Sequence, residues 1–315
     1  QRGLEPNVIT YSAAISACGR GRQWKKALEL FGEMKQRGIK PSVITFGAII
    51  SACGKSGQSE KALELFNEMQ QSGHSPDIIM YNMMIASCND CGEALRLFDE
   101  MQQRGLVPDI VAYTSTMWAC AKAGRWERAA ELFDELQERG LEPNTITYNA
   151  LVSACRKSGQ RKKAYELFRE LQQRGLKPDL VSYTAQICLC ETAGRFDEAI
   201  ATFADAHASG CFPRLKAIRG VLDLCELNVP VARTVLRATL GDIRRMRDVD
   251  SQGDLRLLVG RGVDHGGAVL RKGVHSFFRD EHTDLHCAQD PDNSGMLVVT
   301  AQSIRRWAKT TPSTG

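Results

Sequence analysis

No apolar run in this 315-residue chain approaches the 18 or so residues of a helical membrane span, so no membrane partner is expected. A charge excess is lacking too, since 41 basic side chains face 37 acidic ones. The balance holds in both parts, with 15 basic against 12 acidic from Leu215 onward and 26 against 25 before it. Bulk charge therefore predicts no polyanion partner, and any affinity for nucleic acid must come from where charges are placed. Histidine is scarce, and His275, His282 and His286 form no spaced cluster with Asp or Cys. Cys88-x-x-Cys91 has the spacing of half a zinc site, but no second Cys pair or His pair completes it, so no metal is expected there. An initial Met is also absent. Residues 1–7 carry Gly3-Leu4-Glu5-Pro6-Asn7, a copy of later repeat ends such as Gly140-Leu141-Glu142-Pro143-Asn144, and read as the end of a truncated upstream repeat. A targeting segment, where the whole protein has one, would precede them.

What is there is a repeat. Val8-Ile9-Thr10-Tyr11 returns as Val43-Ile44-Thr45-Phe46, Ile78-Ile79-Met80-Tyr81, Ile110-Val111-Ala112-Tyr113, Thr145-Ile146-Thr147-Tyr148 and Leu180-Val181-Ser182-Tyr183. The steps are 35, 35, 32, 35 and 35 residues, which divides the chain into copies 8–42, 43–77, 78–109, 110–144, 145–179 and 180–214. A period of that size predicts a solenoid, whose usual work is to hold something long along one face. Within a copy, Tyr11, Ala14, Ile15 and Cys18 share one helical face. After a Gly-rich break, Ala27, Leu28, Leu30, Phe31 and Met34 share another, so each copy is a helical hairpin. Gly38 suits a left-handed cap and Pro41 cannot continue a helix, so Gly-x-x-Pro is the stop signal. Cys18, Cys53, Cys88, Cys120, Cys155 and Cys190 all hold the eleventh position of their copies, where a small apolar side chain packs between stacked helices. Copy three is three residues short after Cys88, which predicts a trimmed turn and a local kink or shortened helix.

Two stripes on the first helices bear on binding. The second position is aliphatic in every copy, as Ile9, Ile44, Ile79, Val111, Ile146 and Val181. Such walls at a constant rise either sandwich bases or serve as contacts between repeats, and periodicity alone does not decide which. The thirteenth position is basic in four copies, as Arg20, Lys55, Lys122 and Lys157, and charge in register suits phosphates in register. Thr192 breaks the stripe in copy six, and the deletion removes its place in copy three.

The Val-Thr-Tyr-Asn, central Gly, Ala-Leu-x-Leu-Phe-x-x-Met and Gly-x-x-Pro-Asp pattern of residues 8–214 resembles the pentatricopeptide repeat. Copy five carries it almost whole, as Ile146-Thr147-Tyr148-Asn149, Gly159, Ala164-Tyr165-Glu166-Leu167-Phe168 and Gly175-Leu176-Lys177-Pro178-Asp179. The resemblance implies an α-solenoid that reads single-stranded RNA, one nucleotide per copy, through the fifth and last residues of each unit. Those pairs are Ser12 with Ser42, Gly47 with Asp77, Asn82 with Asp109, Thr114 with Asn144, Asn149 with Asp179, and Thr184 with Arg214. By the family's code, Asn with Asp favours uracil and Thr with Asn favours adenine, so copies three to five resemble a reader of U-A-U. Helix capping is a second use for the same polar residues.

After Arg214 the rhythm stops. Strands are expected at 221–224, 255–259, near Leu285 and at 296–299, with helices at 229–247 and 266–278, which makes a small two-layer α/β domain over 215–308 and a flexible tail over 309–315. Leu222-Asp223-Leu224-Cys225, Gly260-Arg261-Gly262, Gly267-Ala268-Val269-Leu270-Arg271 and Asn293-Ser294-Gly295-Met296-Leu297 resemble the small MutS-related (Smr) domain. Some members of that family are nucleases with Leu-Asp-x-His at the first strand. Here Cys225 replaces the His, which argues against catalysis. The resemblance implies phosphate contact by Gly260, Arg261 and Gly262, and, for a nuclease, catalysis by Asp223, Arg261 and His265 with Mg²⁺. The leading expectation is a sequence-specific single-stranded RNA binder that needs no cofactor. An array-guided RNA endonuclease is the alternative, and a protein-binding scaffold a second; no protein partner is identified. The family's usual home is an organelle, a plastid before a mitochondrion, where such proteins process, stabilise or help translate transcripts.

Overall fold

The computed structural model describes residues 5–212, 221–246, 253–260 and 265–310, and the chain divides into two compact units, Gln1–Leu171 and Gln172–Gly315. The first unit holds helical hairpins built from α1 (Val8–Arg20) and α2 (Trp24–Gln36), α3 (Val43–Lys55) and α4 (Ser59–Gln71), and α5 (Ile78–Ser87) and α6 (Cys91–Gln103). It continues with α7 (Ile110–Ala123) and α8 (Trp126–Glu138), then α9 (Thr145–Lys157) and all but the last two residues of α10 (Arg161–Gln173). α1, α3, α5 and α7 each pack on their own second helix and on the first helix of the next hairpin.

Local chemistry sets the boundaries. Asn7, Ser42, Asp77, Asp109 and Asn144 are extended N-caps whose side chains accept the backbone N–H three residues on, satisfying an amide that the helix leaves orphaned. The fifteenth position of the hairpin turn is left-handed and is glycine in Gly57, Gly124 and Gly159; copy one places Arg22 there, at φ 54°. Copy three loses its residues from the helix and not from the turn. α5 has 10 residues against 13 in α1 and α3, while the connection 88–90 keeps its length and Asp90 caps α6 through the Glu93 N–H at 2.9 Å.

The core repeats as well. Tyr11, Tyr81, Tyr113 and Tyr148 are buried, and their hydroxyls donate to Glu33, Glu100, Glu135 and Glu170 of their own second helices at 2.7–2.9 Å. Burial raises the Tyr113 and Tyr81 hydroxyls, and the Glu partners raise them further. The same rings meet the preceding hairpin edge to face, with Phe66–Tyr81, Phe98–Tyr113 and Phe133–Tyr148 centroids 5.0–5.4 Å apart. Each such pair contributes about 0.5–1.5 kcal/mol beyond area burial. Of the eleventh-position cysteines, Cys53, Cys88, Cys120, Cys155 and Cys190 are buried and Cys18 half-buried, in line with a packing role.

The second unit holds α11 (Leu180–Thr192), α12 (Phe196–Ala208), β1 (Val221–Asp223), α13 (Val229–Arg245), β2 (Leu255–Leu258), α14 (His265–Glu281), β3 (Cys287–Gln289), β4 (Met296–Val299) and α15 (Ala301–Thr310). Its four strands form one sheet in the order β1-β2-β4-β3, with β1 parallel to β2 and the other pairs antiparallel. Leu222, Leu257, Leu297 and Val299 bury one face of it. α13 packs on α11, α12 and α14, so the sixth hairpin joins this unit. There the Arg237 guanidinium pairs with Glu191 of α11 and Glu281 of α14 and lies 3.9 Å from the Phe196 ring centroid. α15 is an element the sequence reading leaves out; it reaches Thr310 and buries Ile304 and Trp307, so residues 309 and 310 are helical where a tail was expected.

Candidate nucleic-acid interface

The second-position side chains stand out in water. Ile9, Ile44, Ile79, Val111, Ile146 and Val181 are 44–76% exposed, which does not fit the reading of them as contacts between repeats. Single exposed aliphatics are ordinary, but one at the same place in each copy is a surface feature that folding does not require.

Beneath that row the fifth and last residues of a copy meet. In copy three they bond directly, Asn82 Nδ2 donating to Asp109 Oδ1 and Oδ2 at 3.1 and 3.2 Å. In copies one and four the third residue of the following copy joins them. Ser12 Oγ lies 2.7 Å from Thr45 Oγ1, which lies 3.0 Å from Ser42 Oγ. Thr114 Oγ1 lies 3.2 Å from Thr147 Oγ1, which donates to Asn144 Oδ1 at 3.1 Å. Asn82 is buried, and its Oδ1 has no hydrogen-bond partner, an unmet acceptor of the kind a ligand can satisfy. Copy two lacks such a link. A Cβ on Gly47 would sit 3.4 Å from Met80 Cε, and Met80 holds the third position where other copies carry a hydroxyl or Ala112.

The last residues also cap helices, so the two uses coexist: Asp77 accepts from Met80 N at 2.8 Å, Asp109 from Ala112 N at 2.9 Å and Asn144 from Thr147 N at 3.0 Å. Of the copy-five pair, Asn149 is buried in the first unit, and Asp179 caps α11 in the second, accepting from Ser182 N at 2.9 Å. In copy six Thr184 is half-buried, while Arg214 lies outside the described residues. The third-position hydroxyls are what sequence reasoning missed; Thr10, Thr45, Thr147 and Ser182 recur, but look like ordinary capping-box residues.

Arg20, Lys55, Lys122 and Lys157 are exposed at or next to the last residue of α1, α3, α7 and α9. A cation there also answers the helix dipole, and Lys157 Nζ donates to the Lys122 carbonyl at 2.9 Å.

The second unit offers less of its expected site. Asp223 ends β1, where its Oδ1 accepts the Cys225 N–H at 3.0 Å, and Cys225 Sγ faces the Leu258 carbonyl at 3.6 Å. Arg261, Gly262 and the His265 side chain lie outside the described residues. Gly260 has a packing reason to be glycine, because a Cβ there would come 3.3 Å from the Gly267 Cα, and a Cβ on Gly295 would strike the Gly260 carbonyl at 2.0 Å. His282 is half-buried and packs edge to face on Phe277 and Trp307; burial holds its pKa below the ordinary value, with Arg237 and Arg244 adding to the effect. Cys88 and Cys91 do not share a site, Cys88 facing the Met84 carbonyl and Cys91 facing Cys120 Sγ at 3.3 Å. Among the described residues no three His, Cys, Asp or Glu side chains converge as metal ligands.

The family model for the pentacotripeptide-repeat region of PRORP matches residues 2–175, and that for the pentatricopeptide repeat domain matches residues 166–224. No curated protein matches the chain. Among solved structures, the pentatricopeptide repeat protein PPR10 from maize is 24% identical over 89% of this chain and 35% of its own, with a TM-score of 0.48. PPR10 in complex with an 18-nt psaJ RNA element is 21% identical over 89% and 44%, again at 0.48. The PPR domain of Arabidopsis thaliana protein-only RNase P 1 in complex with tRNA is 15% identical over 54% and 91%, at 0.46. The chain thus spans less than half the length of the PPR10 structures it matches. With more than half of its residues inside the family model and the same hairpin recurring at the repeat period, the chain belongs to the pentatricopeptide repeat family.

Proposed function

We propose that the array binds single-stranded RNA in a sequence-specific way along the exposed face of its first helices. The observation that carries the proposal is the joining of fifth and last residues, directly at Asn82–Asp109 and through a hydroxyl at Thr114–Thr147–Asn144, beneath an exposed aliphatic row. Bases lie between successive aliphatic side chains, the paired polar residues address their Watson–Crick edges, and Arg20, Lys55, Lys122 and Lys157 take phosphates. Copies three to five read U-A-U. Residues 218–308 act as an Smr-like domain that grips phosphate, and the protein serves organelle RNA processing, stability or translation. Cleavage is no part of the proposal, because the Asp223 carboxylate is engaged with its own turn and Cys225 is a poor proton carrier at neutral pH.

Selection from randomised RNA followed by fluorescence anisotropy tests the reading. The expected result is an enriched motif containing U-A-U whose binding weakens with salt. Failure to bind any RNA at low salt would overturn it and favour a protein-binding scaffold.

A further inference from the structure

Where copy three meets copy four, the short α5 leaves space. α5 stops at Ser87 while α7 runs on to Ala123, and a cavity of about 230 Å³ opens between them, lined by Ile85, Ala86 and Cys88 on one side and Ser115, Trp118 and Lys122 on the other. Val111, Ser115, Trp118 and Lys122 follow one another at helical spacing, so the cavity opens on the stripe that carries the exposed aliphatic row and the basic row. Trp118 holds the ninth position of its copy, where copies one, two and five have Ser16, Ser51 and Ser153 and copy three has Ala86. A Trp placed only to fill the gap would close it, since protein interiors pack to near crystalline density. Here the indole is half-buried and a cavity remains beside it, with the exposed Lys122 one turn further on.

We propose that this cavity takes one nucleobase of the bound RNA, unstacked from its neighbours, with its ring laid on Trp118 and its phosphate on Lys122. The proposal rests on the RNA-binding reading above. The cavity is smaller than the 300 Å³ or so at which drug-sized sites begin, which suits a single base. An indole offers a π-face to any base, and an ammonium beside it supplies the charge that a nucleotide carries. The nucleotide held there is read by neither the copy-three nor the copy-four pair, so its identity is free while its base is required, and RNAs that fill the cavity carry the letters as U-N-A-U rather than as an unbroken U-A-U.

The test uses RNA selected by the wild-type chain and a series of single abasic substitutions along it, measured by anisotropy with wild type and Trp118→Ser. One abasic position next to the letters of copies three and four is expected to weaken wild-type binding roughly 5- to 150-fold, the range of base–aromatic stacking. Trp118→Ser is expected to bind intact RNA more weakly by the same factor and to suffer no further loss at that position, while Trp118→Phe keeps most of the affinity. Where Trp118→Ser lowers the thermal midpoint, Trp118→Leu, which keeps apolar bulk without a π-face, carries the comparison. Abasic penalties that are the same in wild type and variant at every position overturn this proposal alone. A wild type that selects no RNA overturns the array reading and this proposal with it.

Discussion

Replacing Asn144 by Asp separates the capping duty of a last-position residue from its reading duty. Capping runs through one oxygen, since Asn144 Oδ1 accepts from Thr147 N at 3.0 Å and from Thr147 Oγ1 at 3.1 Å. Asp keeps that oxygen and adds a negative charge at the N-terminus of α9, worth about 0.3–1 kcal/mol in favour of the helix. The thermal midpoint should therefore hold or rise slightly. What changes is the other half of the side chain, where the Nδ2 donor becomes an acceptor. Reversing one donor in a base contact shifts discrimination by about 1–3 kcal/mol, or roughly 5- to 150-fold. The preference at the copy-four nucleotide is expected to move from adenine to guanine by that factor, read by anisotropy competition between RNAs differing only there. A well-folded Asn144→Asp chain that still prefers adenine would refute the assignment of Thr114 and Asn144 as reading residues.

Arg22→Gly restores the glycine that copies two, four and five place in the left-handed turn, and should stabilise the chain by about 1 kcal/mol in urea titration; a loss of stability would contradict the strain argument. Lys55→Gln should weaken RNA binding evenly across sequences and flatten the slope of log K against log salt by about 0.7, and an unaltered slope would remove Lys55 from the phosphate row. Burial pushes the Cys88 and Cys155 thiols up to about 11, leaving about a hundredfold less thiolate than usual at pH 8. In native protein both should resist iodoacetamide at that pH and react on unfolding, as read by mass spectrometry. Because the folded thiols keep their protons longer than the unfolded ones, their contribution to stability is complete below about pH 9 and is lost as pH rises towards 11.

The hairpins of the array were legible because each boundary is written in local chemistry: Ser42, Asp77 and Asn144 before a helix, and Gly57, Gly124 and Gly159 between the helices of a hairpin. Local chemistry also explains what was not legible. α15 follows β4 almost at once, and among its described side chains only Ile304 and Trp307 are buried, so its period is too short to count. The grouping of the sixth hairpin with the sheet depends on Glu191 meeting Arg237, 46 residues away, which no periodicity encodes. The cavity beside Trp118 depends on a deletion in a different copy from the Trp itself. The fifth and last slots were visible as variable polar positions, but the hydroxyl that joins them belongs to the next copy and hides among capping residues.

That hydroxyl has a practical consequence for rebuilding the array. Thr45 bridges Ser12 and Ser42, and Thr147 bridges Thr114 and Asn144, so the set of atoms addressing one base straddles the seam between two copies. A transplant cut at the seam would deliver two-thirds of a cassette and leave its joint behind. Cutting after the third residue of the following copy would move the cassette whole, and chimaeras made both ways would differ in fidelity even with identical fifth and last residues.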